Sequence, residues 1–344
     1  MPTPRWEGGR IRRPRVTDSR FRQRGIAGFA IRESRNRQAG RRRLARNLPF
    51  PEGMRIQTVL CPLDFSGLDE QEIGIALEVC RTFGAKLVLH HDVAAAEPGF
   101  SRVWEWSKAH QPSAMHDREV TAHLQALLDR IAVGVPAEAA ITSGPLAGTV
   151  LALAERLPAD VIVLGSHGWS SQDHASVAER VIDRSPCPVL TFQERRDAPA
   201  FRLRAAAGGP PPRAVVPTDL SSTSASAVAW ACALAREIEM RVDLLHVLPV
   251  DAGGAAVDHA QAAMDGLVPL DLVDEVSAHL RRGDPIDEIA RYLDVTDPAF
   301  VVLGEHSRGI FRHLFTRDTT RALVRRVRCP AWVVPASPAT ACRE

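Results

Sequence analysis

The segment Ile56-Gln-Thr-Val-Leu-Cys-Pro-Leu-Asp64-Phe-Ser66 returns later in the chain as Arg213-Ala-Val-Val-Pro-Thr-Asp219-Leu-Ser221, with the two aspartates 155 positions apart. Each copy is a short apolar run closed by Asp, a hydrophobic residue and Ser, the pattern of a buried strand running into a helix start. Further out, Leu87-Val-Leu-His-His91 is matched by Val242-Asp-Leu-Leu-His246, again 155 apart. Val161-Ile-Val-Leu-Gly165-Ser-His167 is matched by Phe300-Val-Val-Leu-Gly304-Glu-His306 at an offset of 139, and Cys187-Pro188 by Cys329-Pro330 at 142. Four landmarks in one order establish an internal duplication. The offsets make the first copy longer by 16 residues between its second and fourth strands, and shorter by three in the loop after Gly165.

Within each copy, short apolar runs alternate with helical patterns. Thr58–Leu63, Lys86–His90, Val161–Leu164 and Val189–Phe192 read as strands, with helices over Asp69–Phe83, Asp117–Val133 and Leu146–Leu157. The second copy repeats the strands at Val215–Pro217, Val242–Val247, Val276–Leu280, Phe300–Leu303 and Trp332–Val334. Continuous apolar strands separated by helices specify parallel βαβ units covered on both faces. The expected fold is therefore α/β: two tandem Rossmann-like domains, each a five-stranded, mostly parallel sheet. The domains are expected at 54–195 and 213–337, with a linker at 196–212 marked by Gly208-Gly209-Pro210-Pro211-Pro212 and a short tail at 338–344.

Residues 1–52 carry 15 Arg against four acids, a net of +11, which leaves 28 basic and 37 acidic residues, a net of −9, for the rest. An acidic folded part repels nucleic acid, so only the Arg-rich tail at 1–53, expected to be disordered, could bind it. That tail reads as a basic arm, as a transit peptide, or as an extension upstream of a natural start at Met54. No run reaches the roughly 18 apolar residues a membrane helix needs. Six scattered cysteines without CxxC pairs fit a reducing cytosol better than a disulfide or zinc framework.

The repeated strand ending in Asp with Phe-Ser or Leu-Ser, the Leu/His-rich second strand, the Gly283-Asp284-Pro285 turn and the glycine loop after the fourth strand together resemble the universal stress protein family. The stretch Ala175-Ser-Val-Ala-Glu-Arg-Val181, followed by Ser185-Pro-Cys-Pro-Val189, is similar to that family's last helix and strand. The resemblance implies a stress-response binding or regulatory module whose ligand is an adenine nucleotide, ATP with Mg²⁺. It places Asp64 and Asp219 on the adenosine part, and the phosphates on a loop of the form Gly-x2-Gly-x9-Gly-Ser. Glycines there let the backbone approach a phosphate, and successive N–H groups cradle it.

The first copy keeps Gly165, Ser166, His167, Gly168 and Ser176, but Ala175 replaces the last glycine and only six residues separate Gly168 from it. The second keeps Gly304, has Ser307 for the second glycine, and places Arg317-Asp318 where Gly-Ser would stand. A degenerate site follows, with the first copy the more complete. Asp64 and Asp219 have an alternative use as caps of the helices that follow them.

Catalytic signatures do not appear. The two lysines, Lys86 and Lys108, follow no glycine loop, and neither GxGxxG after the first strand nor GxSxG occurs. The chain is thus expected not to be an enzyme, although a weak ATPase or phosphotransferase remains an alternative beside a nucleotide-independent protein scaffold. His90 and His91 should point to opposite faces of one strand, against a shared metal. The resemblance further implies that Val189–Phe192 pairs with Trp332–Val334 inside one chain, giving a monomeric pseudo-dimer with unknown protein partners. The extra residues around Phe100–Gln111, with Trp104 and Trp106, read as a surface insertion or as a cover for a crevice or partner.

Overall fold

The computed structural model describes residues 54–63, 69–92, 114–165, 177–193, 200–305, 323–324 and 326–336. The basic tail, the insertion around 100–111 and the loop after Gly165 lie outside them. The first half forms β1 (Thr58–Leu63), α1 (Asp69–Phe83), β2 (Lys86–Asp92), α2 (Ala114–Ile131), β3 (Ala137–Thr142), α3 (Leu146–Arg156), β4 (Val161–Gly165), α4 (Val177–Ile182) and β5 (Val189–Phe192). The second forms β6 (Arg213–Pro217), α5 (Ser222–Glu237), β7 (Arg241–Leu248), α6 (Gly254–Leu267), a 3-10 turn at Leu270–Leu272, β8 (Val276–Arg282), α7 (Pro285–Thr296), β9 (Phe300–Gly304) and β10 (Ala331–Val334).

The strands make one ten-stranded sheet in the order β3-β2-β1-β4-β5-β10-β9-β6-β7-β8. All neighbours are parallel except β5 and β10, which are antiparallel and join the two halves. The offsets read from the sequence recur in the strands: β6 and β7 start 155 residues after β1 and β2, β8 and β9 start 139 after β3 and β4, and β10 starts 142 after β5. At the junction Val189 faces Val333, Leu190 faces Trp332 and Thr191 faces Ala331. Adding 142 to one member of each pair gives the other pair's partner, so a local two-fold axis passes through Leu190 and Trp332. Each half thereby covers the edge strand of the other.

Alternation along the strands divides the core into two layers, one on each face of the sheet. On one face Val59, Leu87, Leu190, Val216, Leu244 and Trp332 pack beneath α1, α2, α5 and α6. On the other, Leu60, Val88, Val189, Val215, Leu245 and Val333 pack beneath α3, α4 and α7. Both layers run through the β5–β10 junction, so the two halves share a continuous core. At the junction Trp332 is fully buried, with its ring 5.7 Å from Trp230 and 6.5 Å from Phe300.

Local chemistry sets the helix ends. Ser221 caps α5 by accepting from Ser224 N at 3.3 Å, and Asp284 caps α7 by accepting from Asp287 N at 3.1 Å, with Pro285 pre-set for the first turn. Gly283 precedes that cap at φ 144°, where a Cβ would come within 2.9 Å of the Glu288 Cγ. The connecting segment is less loose than its Gly-Pro composition suggests. Leu203 is fully buried in the first layer, its N–H donates to Glu78 Oε1 of α1 at 3.0 Å, and Phe201 lies 6.3 Å from Phe300.

Candidate functional site

In each half the strand order reverses between the first strand and the fourth: between β1 and β4, and between β6 and β9. In open parallel sheets the crevice outside the carboxyl ends at such a reversal is where ligands bind. The fourth strands end at that rim on Gly165 and Gly304. Asp219 follows β6, the neighbour of the strand that ends on Gly304, so these two expected residues share one rim. Asp64, Ser166, His167, Gly168 and Ser176 lie outside the described residues.

Asp219 is not the helix cap. Its Oδ1 accepts from Ser221 N at 3.0 Å, bracing the turn in which Leu220 adopts φ 63°, and Ser221 then caps α5. An aspartate two residues before the cap forms the turn rather than closing the helix.

No short motif marks what meets Gly165. Its N–H donates to Glu72 Oε1 of α1 at 2.7 Å, and Glu72 is 2% exposed. A phosphate bound at this backbone group would need the same N–H, and would meet a carboxylate there. The described geometry at Gly165 therefore does not fit a phosphate. In the duplication Glu72 corresponds to Ala227, at the offset of 155, so the second half has a methyl group at this place.

A second acid lies at the carboxyl end of β2. Asp92 Oδ2 accepts from the Thr142 hydroxyl at 2.7 Å, and its Oδ1 accepts from Gly144 N at 3.1 Å, tying β2 to the turn before α3. Because Thr142 donates to Asp92, its oxygen accepts from His90 Nε2 at 2.7 Å, which fixes the His90 tautomer. Burial pushes His90 down to about 4, against the upward pull of Asp92, so the ring is neutral at physiological pH. His91 points to the opposite face, as period-two alternation requires, and its Nδ1–H donates to the Leu63 carbonyl at 2.9 Å. His246 makes the repeated contact, to the Thr218 carbonyl at 2.8 Å. Both histidines thus hold the end of the first strand, immediately before Asp64 and Asp219.

A further polar cluster belongs to the second half alone. Asp243 of β7 is 2% exposed, takes both oxygens to Arg213 Nη1 at 2.8 and 2.6 Å, and accepts from the Tyr292 hydroxyl at 2.8 Å. His279 Nε2 stands 3.6 Å away, and the Arg281 guanidinium lies 5.3 Å from the Tyr292 ring centre. These residues come from β6, β7, β8 and α7, and only the folded sheet brings them together.

The cysteines among the described residues are packing groups. Burial pushes the thiols of Cys80, Cys187, Cys232 and Cys329 up to about 12, so almost no thiolate forms near neutrality. Titration of the native protein with a thiol reagent at about pH 8 is expected to leave the buried Cys80, Cys187 and Cys232 unreacted until denaturant is added. Prompt reaction of any of them would contradict their burial.

Among the described residues no helix is long and apolar enough to cross a membrane. Comparison with known proteins agrees with the fold. A universal stress protein from Archaeoglobus fulgidus DSM 4304 superimposes with a TM-score of 0.61 at 17% identity, covering 82% of this chain and 98% of that one. A functionally unknown protein from Pseudomonas aeruginosa PAO1 gives 0.55 at 13% identity, covering 83% of this chain and 94% of that one. A universal stress protein solved in complex with cAMP matches at 21% identity and a TM-score of 0.32, over 41% of this chain and 99% of that one. No curated protein matches the chain. The sequence model of the universal stress protein family matches twice, over residues 55–193 and 212–335, and the chain belongs to that family as a tandem, two-domain member.

Proposed function

We propose that this tandem universal stress protein is a stress-response binding and regulatory module of the cytosol, built around a degenerate adenine-nucleotide site and acting without turnover. The observation that carries the reading is the Gly165 N–H held by Glu72: the strand end that the family pattern assigns to phosphate is met by the protein's own carboxylate. The first half keeps more of the family's loop, in Gly165, Gly168 and Ser176, while the second has Ser307 and Asp318 at the matching places. His91 and His246 support both rims by fixing the residues before Asp64 and Asp219. The family resemblance names ATP with Mg²⁺ as the ligand; with the Gly165 N–H already taken by Glu72, the adenosine part is what this degenerate site is proposed to hold. The five cysteines among the described residues are free thiols, which fits a reducing compartment.

Calorimetry with adenosine and with ATP–Mg²⁺, alongside a phosphate-release assay, tests the proposal. The expected result is one adenine-ligand site per chain and phosphate release at the level of the blank. Release above blank that is lost in Gly165→Val would make the protein an ATPase. Absence of heat with either ligand would remove the nucleotide and favour a scaffold that engages protein partners.

A further inference from the structure

We infer that the free edge of β8 is a docking edge for a partner protein: an extended segment adds there as a further strand, and its acidic side chains meet Arg281 and Arg282. β8 is the last strand of the ten-stranded sheet and pairs with β7 along its whole length, Val276–Arg282. The Val242 N–H donates to the Glu275 carbonyl and the Gly283 N–H to the Leu248 carbonyl, so the main-chain groups of the odd-numbered residues turn toward β7. Those of Val276, Ala278, Leu280 and Arg282 therefore point outward, and no partner for them is found among the described residues. Such a row of alternating donors and acceptors is completed by another extended polypeptide.

Charge decides which polypeptide fits. Arg281 and Arg282 are exposed and have no ion pair among the described residues. The acids in the first turn of α7, which follows β8, are already matched, Glu288 by Arg291 and Asp287 by Arg326. Arg281 is also held in advance. Its guanidinium lies 5.3 Å from the Tyr292 ring centre, and the Tyr292 hydroxyl donates to the buried Asp243, which Arg213 secures. A guanidinium placed beforehand loses less freedom on binding. At the positions of Arg281, Arg282, Tyr292 and Asp243 the first half has Thr142, Ser143, Leu153 and Val88, so its edge strand β3 ends without these cations. Successive side chains of β8 alternate between the faces of the sheet. Arg281 thus lies on the α7 face, and Arg282 on the α6 face beyond the half-buried Ala278 and Leu280. The segment that fits has two consecutive acids at one end and β-formers with apolar side chains along the rest. A second β8 laid in the same place would add two more guanidiniums to the edge, whereas an acidic segment neutralises the two already there.

Full-length protein is titrated with fluorescein-labelled peptides EEVTVTV and VTVTVEE, which offer the acids at either end, and with KKVTVTV and VTVTVKK as controls. Anisotropy follows binding, and amide hydrogen exchange locates it. One acidic peptide is expected to bind and to slow exchange at Ala278 and Leu280. Its affinity should fall by about tenfold in Arg281→Ala/Arg282→Ala, two exposed positions. Arg281→Glu/Arg282→Glu should reverse the preference and bind a lysine peptide at the same amides. Lysine peptides bound by the wild type as tightly as acidic ones, slowed exchange elsewhere with the β8 amides unchanged, or no peptide binding at all overturns the inference. Slowed exchange at the β8 amides without peptide, together with a doubled particle mass, seats a second copy on this edge and overturns it as well.

Discussion

Replacing Trp332 by alanine is expected to lower the unfolding free energy by about 3–5 kcal/mol, the range for truncating a large buried aromatic. Trp332 is fully buried on the local two-fold axis, faces Leu190 across the β5–β10 pair and packs its ring against Trp230 and Phe300. The cavity would open where the two halves meet, and both core layers cross that line, so the loss is shared by the whole molecule. Trp332→Phe should be much milder, roughly 1–2 kcal/mol, because the indole N–H meets no acceptor among the described residues and no hydrogen bond is lost with it. Equilibrium denaturation by urea measures both. A loss below about 1 kcal/mol for the alanine variant would mean that the junction does not hold the halves together.

The second large effect concerns Asp243. Burial alone would push its carboxyl up, but His279, Arg213 and Tyr292 outweigh burial and hold it below the usual range. At 3.6 Å His279 is too far for a full hydrogen bond, and Arg213 and Tyr292 make the close contacts. Arg213→Met leaves a 2%-exposed carboxylate without its cation. Breaking a buried pair costs about 3–5 kcal/mol, and because the Arg213 side chain is 41% exposed we expect about 2–3. The pH dependence carries the sign. In the wild type the depressed carboxyl contributes stability above its unfolded value of about 3.9, and that contribution fades as pH falls through the folded value. In Arg213→Met, burial dominates and raises the carboxyl, so stability should increase as pH falls from about 7 toward 4. Parallel stability–pH curves for the two proteins would contradict this.

What the sequence disclosed was the part governed by local period and by repetition. The expected spans of β1, α1 and β5 coincide with those in the structure, because continuous apolar strands and a helix between clear stops leave little ambiguity. β2 runs on to Asp92, two residues past the apolar run, since polar side chains bonded to Leu63 and Thr142 still fit the ladder. α2 begins at Ala114 and ends at Ile131 rather than spanning Asp117–Val133, because the ends of this helix carry weak sequence signals. β3, Ala-Glu-Ala-Ala-Ile-Thr, is half-buried throughout and sits at the sheet edge, so no apolar run announced it.

The site was less legible for a physical reason. Glu72 meets a backbone N–H 93 residues away, and Asp243 gathers partners 30, 36 and 49 residues distant, contacts that no short motif encodes. A signal for Glu72 did exist in the duplication. A glutamate in one copy stands at the position of an alanine in the other, on the helix that follows the first strand of each copy. The same comparison marks Asp92 against Val247 and Asp243 against Val88.

The arrangement of the two halves rests on strands β5 and β10 pairing within one chain. Light scattering of the full-length protein over a wide concentration range addresses this directly. The account predicts a constant particle mass of 37.5 kDa, because each last strand already has its partner. A particle of twice that mass at every concentration, with the last strands paired between chains, would contradict it.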